Sequence, residues 1–582
     1  MMQATYPVCR PDRGVFPLDE LVARSARDFG HLVAMKAWTG SGHRSVTYSE
    51  FAKSVWSLAR WLIDAGLGPG DRVGMLGENR PEWGMAYLAV QCAGGVAVPV
   101  DRLQPASGIR AILNASGARI LFVSERYLDV ADEARPMPLL ERAVCFDEPV
   151  DGKVIPWSAA LKQGEASGSQ LRPRSLDDLA AILYTSGTTG QSKGVMLTQR
   201  NIMTNVAGCS QLLPVGPGDT FLSMLPLHHA FECTAGFLYP FYCGCCITYA
   251  RSIKTADLIA DMQETRVTAM GSAPLLYEKM HEGIVRNVRK KGLGARLMFG
   301  ALMGTVRVGE LFGLSLGRRL FRPLREKAGL GSANNFVTGA APLDPATSRF
   351  FSRLGIPLQQ GYGLTEASPV SHATPPTRIR HECVGLPLPG VMCRIDEPGE
   401  HGVGEICLKG PSIFSGYYMN EEATKDAFDE DGWFHTGDLG RIHSDGYLQI
   451  MGRKKNVIVT AGGKNVYPEE VEIVLNRRPF IMESLVIGVT RSSGYGEEVG
   501  ALIYPDQDAL AAHFSRVQAP QTIEAVRALI AKEIREVQRD LPTYARIRHF
   551  QVLAEEFQKT TTRKIKRFLY SGDLLATGTD GN

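Results

Sequence analysis

The sequence lacks several features that would assign the chain to a class at once. Its 64 Lys and Arg stand against 61 Asp and Glu, and a net charge of +3 excludes a partner, such as nucleic acid, that binds through bulk charge. Eleven irregularly spaced cysteines in 582 residues do not form a disulfide framework, so we expect reduced thiols and a cytoplasmic protein. No apolar run occurs between Met1 and Phe16, so no signal peptide is predicted.

Long uncharged stretches are also scarce. Cys233 to Ala250 runs for eighteen residues without a charge, which is close to the minimum length of a membrane-spanning helix. Gly236, Pro240 and Gly244 interrupt this stretch, and Cys245 to Tyr249 has the composition of a short strand. We therefore predict a helix followed by a buried strand, and no transmembrane segment.

The sequence does contain a regular alternation of strands and helices. Short apolar runs such as Arg72 to Leu76 alternate with helical patterns as far as about residue 370, which predicts parallel sheets covered on both faces. One helix opens at Pro81, a favoured first helical position. Its helical spacing predicts a single apolar stripe, made of Trp83, Ala86, Tyr87 and Val90.

The pattern changes twice in the C-terminal third. After Pro387 short strands and glycines predict a small β subdomain, and from Arg453 a compact α+β unit follows. The predicted fold class is α/β, with a large N-terminal domain of two doubly wound α/β lobes and the small β subdomain over 1–452. A small α+β C-terminal domain over 453–582 completes the chain.

The strongest chemical signal is the segment Tyr184-Thr-Ser-Gly-Thr-Thr-Gly-Gln-Ser-Lys-Gly194, which follows the apolar run Leu179 to Leu183. Glycines let backbone amides approach an anion, hydroxyls donate to phosphate oxygens, and Lys193 neutralises charge. The segment therefore predicts a phosphate-binding loop, with an ordinary flexible turn as the alternative.

A second segment, Gln359 to Ser368, places an aromatic ring, two glycines, a hydroxyl and a carboxylate after a predicted strand. The Tyr362 ring suits stacking on a purine, and the Glu366 carboxylate suits a hard cation such as Mg²⁺. A purely structural Gly-Tyr-Gly turn is the alternative.

A third segment contains a carboxylate at Asp438 and a guanidinium at Arg453. Both groups suit the hydroxyls of a ribose. The alternative is that the two side chains pair with each other.

Together, in this order, the three segments closely resemble the acyl-adenylate-forming superfamily of acyl-CoA synthetases, adenylation domains and firefly-type luciferases. The resemblance runs from about Phe16 to Arg567. Further matching motifs are Leu225 to His229, Thr338 to Leu343, Gly404 to Ile406, Gly416 to Tyr418 and Thr562 to Arg567. The resemblance implies that a carboxylate attacks ATP to give acyl-AMP and pyrophosphate, after which a thiol displaces AMP. It implies ATP and Mg²⁺ as cofactors and coenzyme A as co-substrate.

The resemblance also implies roles for individual residues. The phosphates of ATP would be held by Thr185, Ser186, Gly187, Thr188, Thr189, Gly190 and Lys193. The nucleotide pocket would further include Gly339, Ala340, Ala341, Gln360, Gly361 and Tyr362. Thr365 would bond the α-phosphate, Glu366 would hold Mg²⁺, and Asp438 and Arg453 would bind the ribose.

Several implied roles concern catalysis and domain movement. Lys564 matches the catalytic lysine of the family, although a surface lysine in a basic run is the alternative. Lys455 matches the hinge, expected at 453–455, about which the mobile C-terminal domain turns. Gly462 and Gly463 would then line the pantetheine tunnel, and His229 would lie near the acyl carboxylate. Gln199 departs from the family, which usually has histidine there.

The segment 284–330 has eleven basic and two acidic residues, a net charge of +9, with Leu, Met and Phe interleaved. Long-chain fatty acyl-CoA synthetases resemble the chain in carrying such an insertion. The pattern is typical of a cationic surface that contacts an anionic bilayer, so peripheral contact with the inner membrane face is one interpretation. A solvated pair of helices packed on the N-terminal lobe is the other.

These observations predict an AMP-forming ligase that joins a medium- or long-chain fatty acid to coenzyme A. One alternative is a fatty acyl-AMP ligase or acyl-ACP synthetase, whose acyl carrier protein would also suit the basic segment. Another is a catalytically inactive acyl-nucleotide sensor. Small molecules are the expected partners, and no nucleic acid is expected.

Overall fold

The computed structural model describes residues 13–148, 152, 154–186, 192–490, 496–559 and 565–570. The chain divides into two compact units. The first contains the chain up to Cys393 together with 408–434 and 444–448, and the second contains 394–407, 435–443 and the chain from Gln449 onward.

The strands of the described residues are numbered in chain order. They are β1 Val33–Trp38, β2 His43–Thr47, β3 Arg72–Leu76, β4 Val96–Pro99, β5 Ile120–Val123, β6 Arg142–Cys145, β7 Ile155–Pro156, β8 Leu179–Ser186, β9 Ser192–Thr198, β10 Thr220–Ser223, β11 Cys246–Tyr249, β12 Ala269–Ser272, β13 Asn335–Thr338, β14 Leu358–Gly363, β15 Val370–Ala373, β16 Leu386–Pro387, β17 Met392–Asp396, β18 Gly404–Lys409, β19 Phe434–Ile442, β20 Leu448–Arg453, β21 Ile458–Val459, β22 Asn465–Val466, β23 Ile481–Thr490, β24 Glu497–Pro505 and β25 His549–Val552.

The α-helices are numbered in the same way. They are α1 Leu18–Phe29, α2 Tyr48–Asp64, α3 Pro81–Cys92, α4 Ala106–Ser116, α5 Leu128–Glu133, α6 Trp157–Ala166, α7 Gln199–Leu212, α8 Tyr239–Tyr242, α9 Thr255–Glu264, α10 Pro274–Lys290, α11 Leu293–Leu311, α12 Gly317–Leu320, α13 Arg322–Lys327, α14 Pro345–Arg353, α15 Glu421–Ala427, α16 Pro468–Asn476, α17 Gln507–Val517 and α18 Ile523–Val537. Several begin at sequence-encoded caps; α2, for example, starts with a reciprocal capping box between Thr47 and Glu50.

Two large sheets form the first unit. A seven-stranded sheet has the order β7-β6-β5-β3-β4-β8-β9, and a nine-stranded sheet has the order β16-β15-β14-β13-β12-β10-β11-β1-β2. Their central strands are parallel and buried, as the alternating pattern predicted. The edges are different: β9 runs antiparallel to β8, and β15 and β16 are also antiparallel. Both sheets are therefore mixed, because hairpins extend each parallel core at its edge.

Helix α3 corrects the prediction of a single apolar stripe. All twelve of its residues are buried, Trp83 stacks on Tyr87 with ring centroids 5.5 Å apart, and Gly84 lies against the Phe237 ring. The helix packs on several sides at once, so the polar face that a surface helix needs is absent.

The uncharged stretch from Cys233 to Ala250 folds as predicted. A π-helix over Glu232–Leu238 leads into α8, and β11 then lies between β10 and β1 in the nine-stranded sheet. None of the helices of the described residues combines the length and the apolarity that crossing a membrane would require. The ten cysteines among the described residues are all free thiols.

The predicted small β subdomain is a four-stranded sheet with the order β17-β18-β19-β20, most of whose residues belong to the second unit. The rest of the second unit has the three-stranded sheet β23-β24-β25 and the short pair β21-β22. Buried Val471, Leu475, Ile530 and Ile534 of α16 and α18 pack with this sheet. The large α/β region followed by a small α+β domain confirms the predicted fold class.

Candidate active site

Segments that follow three parallel strands carry predicted site residues at one edge of the nine-stranded sheet. Because the carboxyl ends of parallel strands meet at the same edge, the residues after β10, β13 and β14 lie there together. These segments contain His229, the 339–341 loop, and the turn with Thr365 and Glu366.

The predicted nucleotide-pocket residues after β13 and on β14 are in contact. Thr338 is paired with Gln360 in the sheet, and a Cβ placed on Gly339 would lie only 3.1 Å from the Gly361 carbonyl oxygen. The next residue, Ala340, has a left-handed φ of 71°, which turns the exposed loop 340–341 away from the strand direction. The backbones of Gly339 and Gly361 therefore approach each other closely, with no side chain between them. Such a flat surface is suited to a planar ring.

Tyr362 lies at the end of the same strand. Its ring centroid is 6.1 Å from that of the buried His372, and burial lowers the pKa of that histidine to about 3. Gln360 donates from Nε2 to the His381 carbonyl over 2.7 Å, which holds the strand end in place. A neutral imidazole beside Tyr362 leaves this part of the pocket without added charge.

The phosphate-binding segment forms the hairpin of β8 and β9. Thr185 pairs with Lys193 and Ser186 pairs with Ser192, so the two arms are in register up to the loop. The loop itself, with Gly187, Thr188, Thr189 and Gly190, lies outside the described residues. Lys193 is thus held on a paired strand next to the predicted phosphate loop.

A chain of contacts joins this hairpin to Glu366. The Lys193 Nζ lies 5.0 Å from the centroid of the Tyr417 ring, and the Tyr417 hydroxyl donates to Glu366 Oε1 over 2.9 Å. A bridge between Val195 and Tyr417 fixes the two segments side by side. Lys193 and Glu366 therefore belong to the same neighbourhood, although they are far apart in sequence.

Tyr417 was not predicted as a site residue, although its segment was among the matching motifs. Burial, together with the adjacent Glu366 carboxylate, raises the pKa of its hydroxyl above the usual range, so it stays a hydrogen-bond donor. The signal that sequence reasoning could have used is the presence of Tyr417 within the matching motif Gly416 to Tyr418, although the partners of this tyrosine are distant in sequence.

Glu366 and Thr365 lie on a 3₁₀ turn, Thr365–Ala367, directly after β14. The backbone N–H of Phe414 donates to the Glu366 carbonyl over 2.8 Å. Asn205 of α7 donates from Nδ2 to the carbonyls of Ala367 and Val370. The turn is thus fixed from two sides, which limits the positions that the Glu366 carboxylate can take.

His229 lies on a loop held by Asn79. The Asn79 side chain donates to the Leu225 carbonyl over 2.6 Å and accepts from the Leu227 N–H over 3.0 Å. The rings of His228 and His229 have centroids 4.2 Å apart. Burial, with the neighbouring His229, lowers the pKa of His228 well below its usual range. His228 is therefore neutral and contributes no positive charge next to His229.

Glu232 is a buried acid beneath this loop. Its Oε1 accepts a hydrogen bond from the Ser223 hydroxyl over 2.6 Å, and Asn79 in turn donates to that hydroxyl over 3.1 Å. Burial raises the pKa of Glu232 to about 8. The network joins the end of β10, the His229 loop and the π-helix, so Glu232 positions the loop from below.

The residues predicted to bind ribose lie in the second unit. Arg453 Nε is 2.7 Å from Asp438 Oδ1, so the pairing that the sequence left as an alternative is present. Asp438 is buried, and its backbone N–H donates to the Thr436 hydroxyl over 3.1 Å. Lys454 forms an ion pair of 2.8 Å with Glu405 of β18.

The other predicted residues of the second unit are those expected at the hinge and at the pantetheine tunnel. Lys455 lies on a 3₁₀ turn, and its partial burial together with Arg453 lowers the pKa of its amine. Gly462 and Gly463 are exposed in the turn between β21 and β22, where Gly463 has a φ of 70°.

Lys564 lies outside the described residues. Close after it, Arg567 pairs with the half-buried Glu472, and Ile565 forms a backbone bridge with the earlier Lys559. Burial raises the pKa of Glu472 to about 7 despite the adjacent guanidinium. Arg567 was not predicted to matter, yet it anchors the chain next to Lys564.

Gln199, which replaces the usual histidine, has a structural position. Its side chain is fully buried, donates to Gln91 Oε1 over 2.7 Å and accepts from the Leu18 N–H over 3.0 Å. Gln91 donates onward to the Ala180 carbonyl of β8. The Gln199 amide thus connects α1 and, through Gln91, α3 and β8. These contacts need one hydrogen-bond donor and one acceptor, but not a side chain that gains or loses a proton.

The donor set of the first unit fits a nucleotide and a hard cation. Mg²⁺ binds oxygen ligands, usually one or two carboxylates with substrate phosphates, and Glu366 offers such a carboxylate. Lys193 supplies a compact cation against the ring of Tyr417, whose hydroxyl contacts Glu366. Backbone at 339–341 supplies the close approach that a flat base needs.

The chain is similar to known proteins over most of its length. Residues 22–418 match the family model described as AMP-binding enzyme, and residues 455–570 match the AMP-binding enzyme C-terminal domain. Long chain acyl-CoA synthetase 6, peroxisomal, of Arabidopsis thaliana is 31% identical over 500 residues, covering 81% of this chain and 70% of its own. The long-chain-fatty-acid–CoA ligase FadD15 of Mycobacterium tuberculosis is 32% identical over 484 residues, covering 80% and 78%.

Solved structures also match over nearly the full length. The ATP-bound MatB of Rhodopseudomonas palustris has a TM-score of 0.74 at 25% identity, covering 97% of this chain and 99% of its own. The family model alone spans more than half of the sequence. The chain therefore belongs to the AMP-binding enzyme family, the superfamily of adenylate-forming ligases that its motifs resemble.

Proposed function

We propose that this adenylate-forming enzyme is an acid–thiol ligase that joins a medium- or long-chain fatty acid to coenzyme A. The contact chain Lys193–Tyr417–Glu366 is the observation that carries the proposal. It brings a cation of the predicted phosphate-loop hairpin into the same neighbourhood as a carboxylate of the kind that Mg²⁺ prefers, which supports a site for attack on ATP. The names of the Arabidopsis and Mycobacterium relatives support a long acyl chain.

In the first half-reaction the fatty acid carboxylate attacks the α-phosphorus of ATP, and pyrophosphate leaves. Lys193 and the Thr185 to Gly190 loop bind the departing phosphates, and Thr365 donates to the α-phosphate. Glu366 would hold Mg²⁺, which would neutralise phosphate charge. The 339–341 loop and Tyr362 enclose the adenine, while Asp438 and Arg453 bind the ribose.

In the second half-reaction the thiol sulfur of coenzyme A attacks the acyl carbonyl, loses its proton, and AMP departs. Gly462 and Gly463 line the route of the pantetheine in this proposal, and Lys455 is the pivot. Lys564 acts only in the first half-reaction, where it balances charge between carboxylate and phosphate.

The test is pyrophosphate release from ATP and Mg²⁺ with acids of two to eighteen carbons, each with and without coenzyme A. We expect the highest rate with medium or long acids and acyl-CoA as the product. Preference for short acids would contradict the chain-length assignment. Product formation that needs acyl carrier protein would instead indicate the carrier-loading alternative, and no release at all would indicate a sensor.

Two variants separate the half-reactions. Lys564→Ala should abolish pyrophosphate release while acyl-CoA still forms from supplied acyl-AMP, and Lys254→Ala, an exposed lysine on the first unit, is the control. Equal loss of both half-reactions would contradict the assignment of Lys564 to adenylation alone.

A further inference from the structure

The segment 284–330 has a surface that the proposed chemistry does not use. Helix α11 packs one side on the first unit, where Phe299 contacts Phe321 and Phe350 and Val306 is buried. Leu302 and Met303 pack against the same core cluster. The helix is therefore a fixed part of the lobe rather than a free appendage.

The opposite side of α11 is also apolar, and it faces outward. Between 54% and 81% of each of seven large apolar residues is exposed in and just after this helix. They are Leu293, Leu297, Met298, Val308, Leu311, Phe312 and Leu314. Leu293, Leu297, Val308 and Leu311 recur at helical spacing, with Ala301 and Gly304 between them, so they form one continuous stripe. A solvated helix would carry polar side chains on that stripe.

Cations surround the stripe. Ten of the eleven basic residues of the segment are exposed; the eleventh, Arg325, is buried and donates to the Leu330 carbonyl, so it does not belong to the predicted basic surface. Arg289, Lys290 and Lys291 directly precede α11, and Arg318 and Arg319 lie beyond its end. Both acids of the segment are paired, Glu326 with Arg322 and Glu310 with Arg353. The surface is thus apolar at its centre and positive around it.

We propose that this face docks on an anionic lipid bilayer, with α11 lying in the plane of the interface. Apolar side chains of an interfacial helix enter the acyl boundary, and Lys and Arg around them meet negative headgroups. The charge distribution favours a bilayer over a second copy of the chain, because two copies would bring like charges together. The proposal does not depend on the catalytic assignment.

The first experiment is co-sedimentation with vesicles of phosphatidylcholine alone or mixed with phosphatidylglycerol. The intact protein should bind the anionic vesicles, bind neutral vesicles at least tenfold more weakly, and dissociate as salt is raised. The variant Leu297→Ser/Val308→Ser/Leu311→Ser should lose at least tenfold in binding to anionic vesicles. Its control is Leu139→Ser/Ile253→Ser/Ile523→Ser, which replaces three equally exposed apolar residues elsewhere and should bind normally.

A second variant tests the charges. Arg289→Gln/Lys290→Gln/Lys291→Gln should weaken binding to anionic vesicles at least tenfold and reduce its salt dependence. Lys532→Gln/Arg535→Gln on the exposed side of α18 is the control. Circular dichroism and thermal unfolding would verify that each variant is folded, as exposed positions predict.

Several outcomes would overturn the proposal. One is the absence of vesicle binding, and another is unchanged binding by the serine variant. A concentration-dependent dimer that the serine variant abolishes would show that a second copy covers the face, and preferential binding to acyl carrier protein would show a protein partner. Pyrophosphate release with a water-soluble acid, measured without vesicles, reports on the proposed function separately.

Discussion

The first unit concentrates charged residues in two places, and the two are built differently. In the candidate active site, Lys193, Glu366 and Glu232 come from distant parts of the sequence, and each contacts a side chain of another element. In the segment 284–330 the cations are close in sequence, ten of the eleven are exposed, and most have no acidic neighbour among the described residues. We call Lys193, Glu366 and Glu232 the site cluster. Catalysis should depend on single residues of this cluster, whereas binding by the surface of 284–330 should depend on the sum of its charges.

The largest effect is expected from Glu366→Gln. The substitution removes the charge that we propose holds Mg²⁺ but keeps the shape of the side chain, so kcat/KM for pyrophosphate release should fall at least 100-fold. Glu422→Gln, at an exposed carboxylate of α15, is the control and should keep full activity. A loss below tenfold would mean that Glu366 is not the cation ligand.

Glu232→Gln tests whether the buried Glu232 carboxyl group keeps its proton in the folded protein. Because the folded-state pKa of about 8 lies above the ordinary value of 4.5, the folded state binds the proton more tightly than the unfolded state between these values. The free energy of unfolding should therefore fall as pH rises from 5 to 8. Glutamine cannot ionise, so this component, about 2 kcal/mol or more, should disappear in the variant.

The measurement is urea unfolding at pH 5, 6.5 and 8. The exposed Glu422→Gln variant should retain the pH dependence of the intact protein. Identical pH dependence in the intact protein and Glu232→Gln would show that water or a counter-charge compensates the carboxylate.

Tyr417→Phe removes one hydrogen bond from the contact chain and leaves the ring beside Lys193. Since a hydrogen bond to a charged group contributes about 1.5 to 3 kcal/mol, we expect about a tenfold loss in kcat/KM with a raised Mg²⁺ requirement. Tyr418→Phe, one residue along, is the control. If the Mg²⁺ concentration needed for activity did not change, Tyr417 would not contribute to the proposed metal site.

The smallest effect is expected from a single charge of the surface. Arg289→Gln alone should weaken binding to anionic vesicles about fivefold or less, and effects at further exposed cations should add. Catalysis with a soluble acid should not change. If a single substitution abolished vesicle binding, the surface would have a specific binding site. It would then depend on single residues, as the site cluster does.

Much of the fold could be predicted from local pattern. The helix at Pro81, the strands Arg72–Leu76 and Asn335–Thr338, and the helix from Pro468 lie where propensity and spacing predicted them. Antiparallel edges were missed, because strand direction at an edge is set by the connecting hairpin and its partners. The burial of α3 on all sides was missed for a similar reason, since its neighbours are supplied by distant segments.

The motifs of the candidate site could be predicted from the sequence, but the contacts between them could not. Lys193 and Glu366 were expected to act on one nucleotide, but Tyr417, which joins them, was not selected. Tyr417 and Glu366 are 51 residues apart, and a hydrogen bond over that distance leaves no periodic trace. The position of Gln199 in a buried amide network was equally invisible, since its partners belong to α1 and α3.

The sequence alone determined the family, the alternating architecture and the types of residue available for chemistry, because motif order and hydrophobic spacing are local properties. Tertiary structure decided which charges meet and which face outward. That decision depends on chain segments that packing brings together. It is why charged residues form a connected cluster in the candidate active site and an open cationic surface around α11.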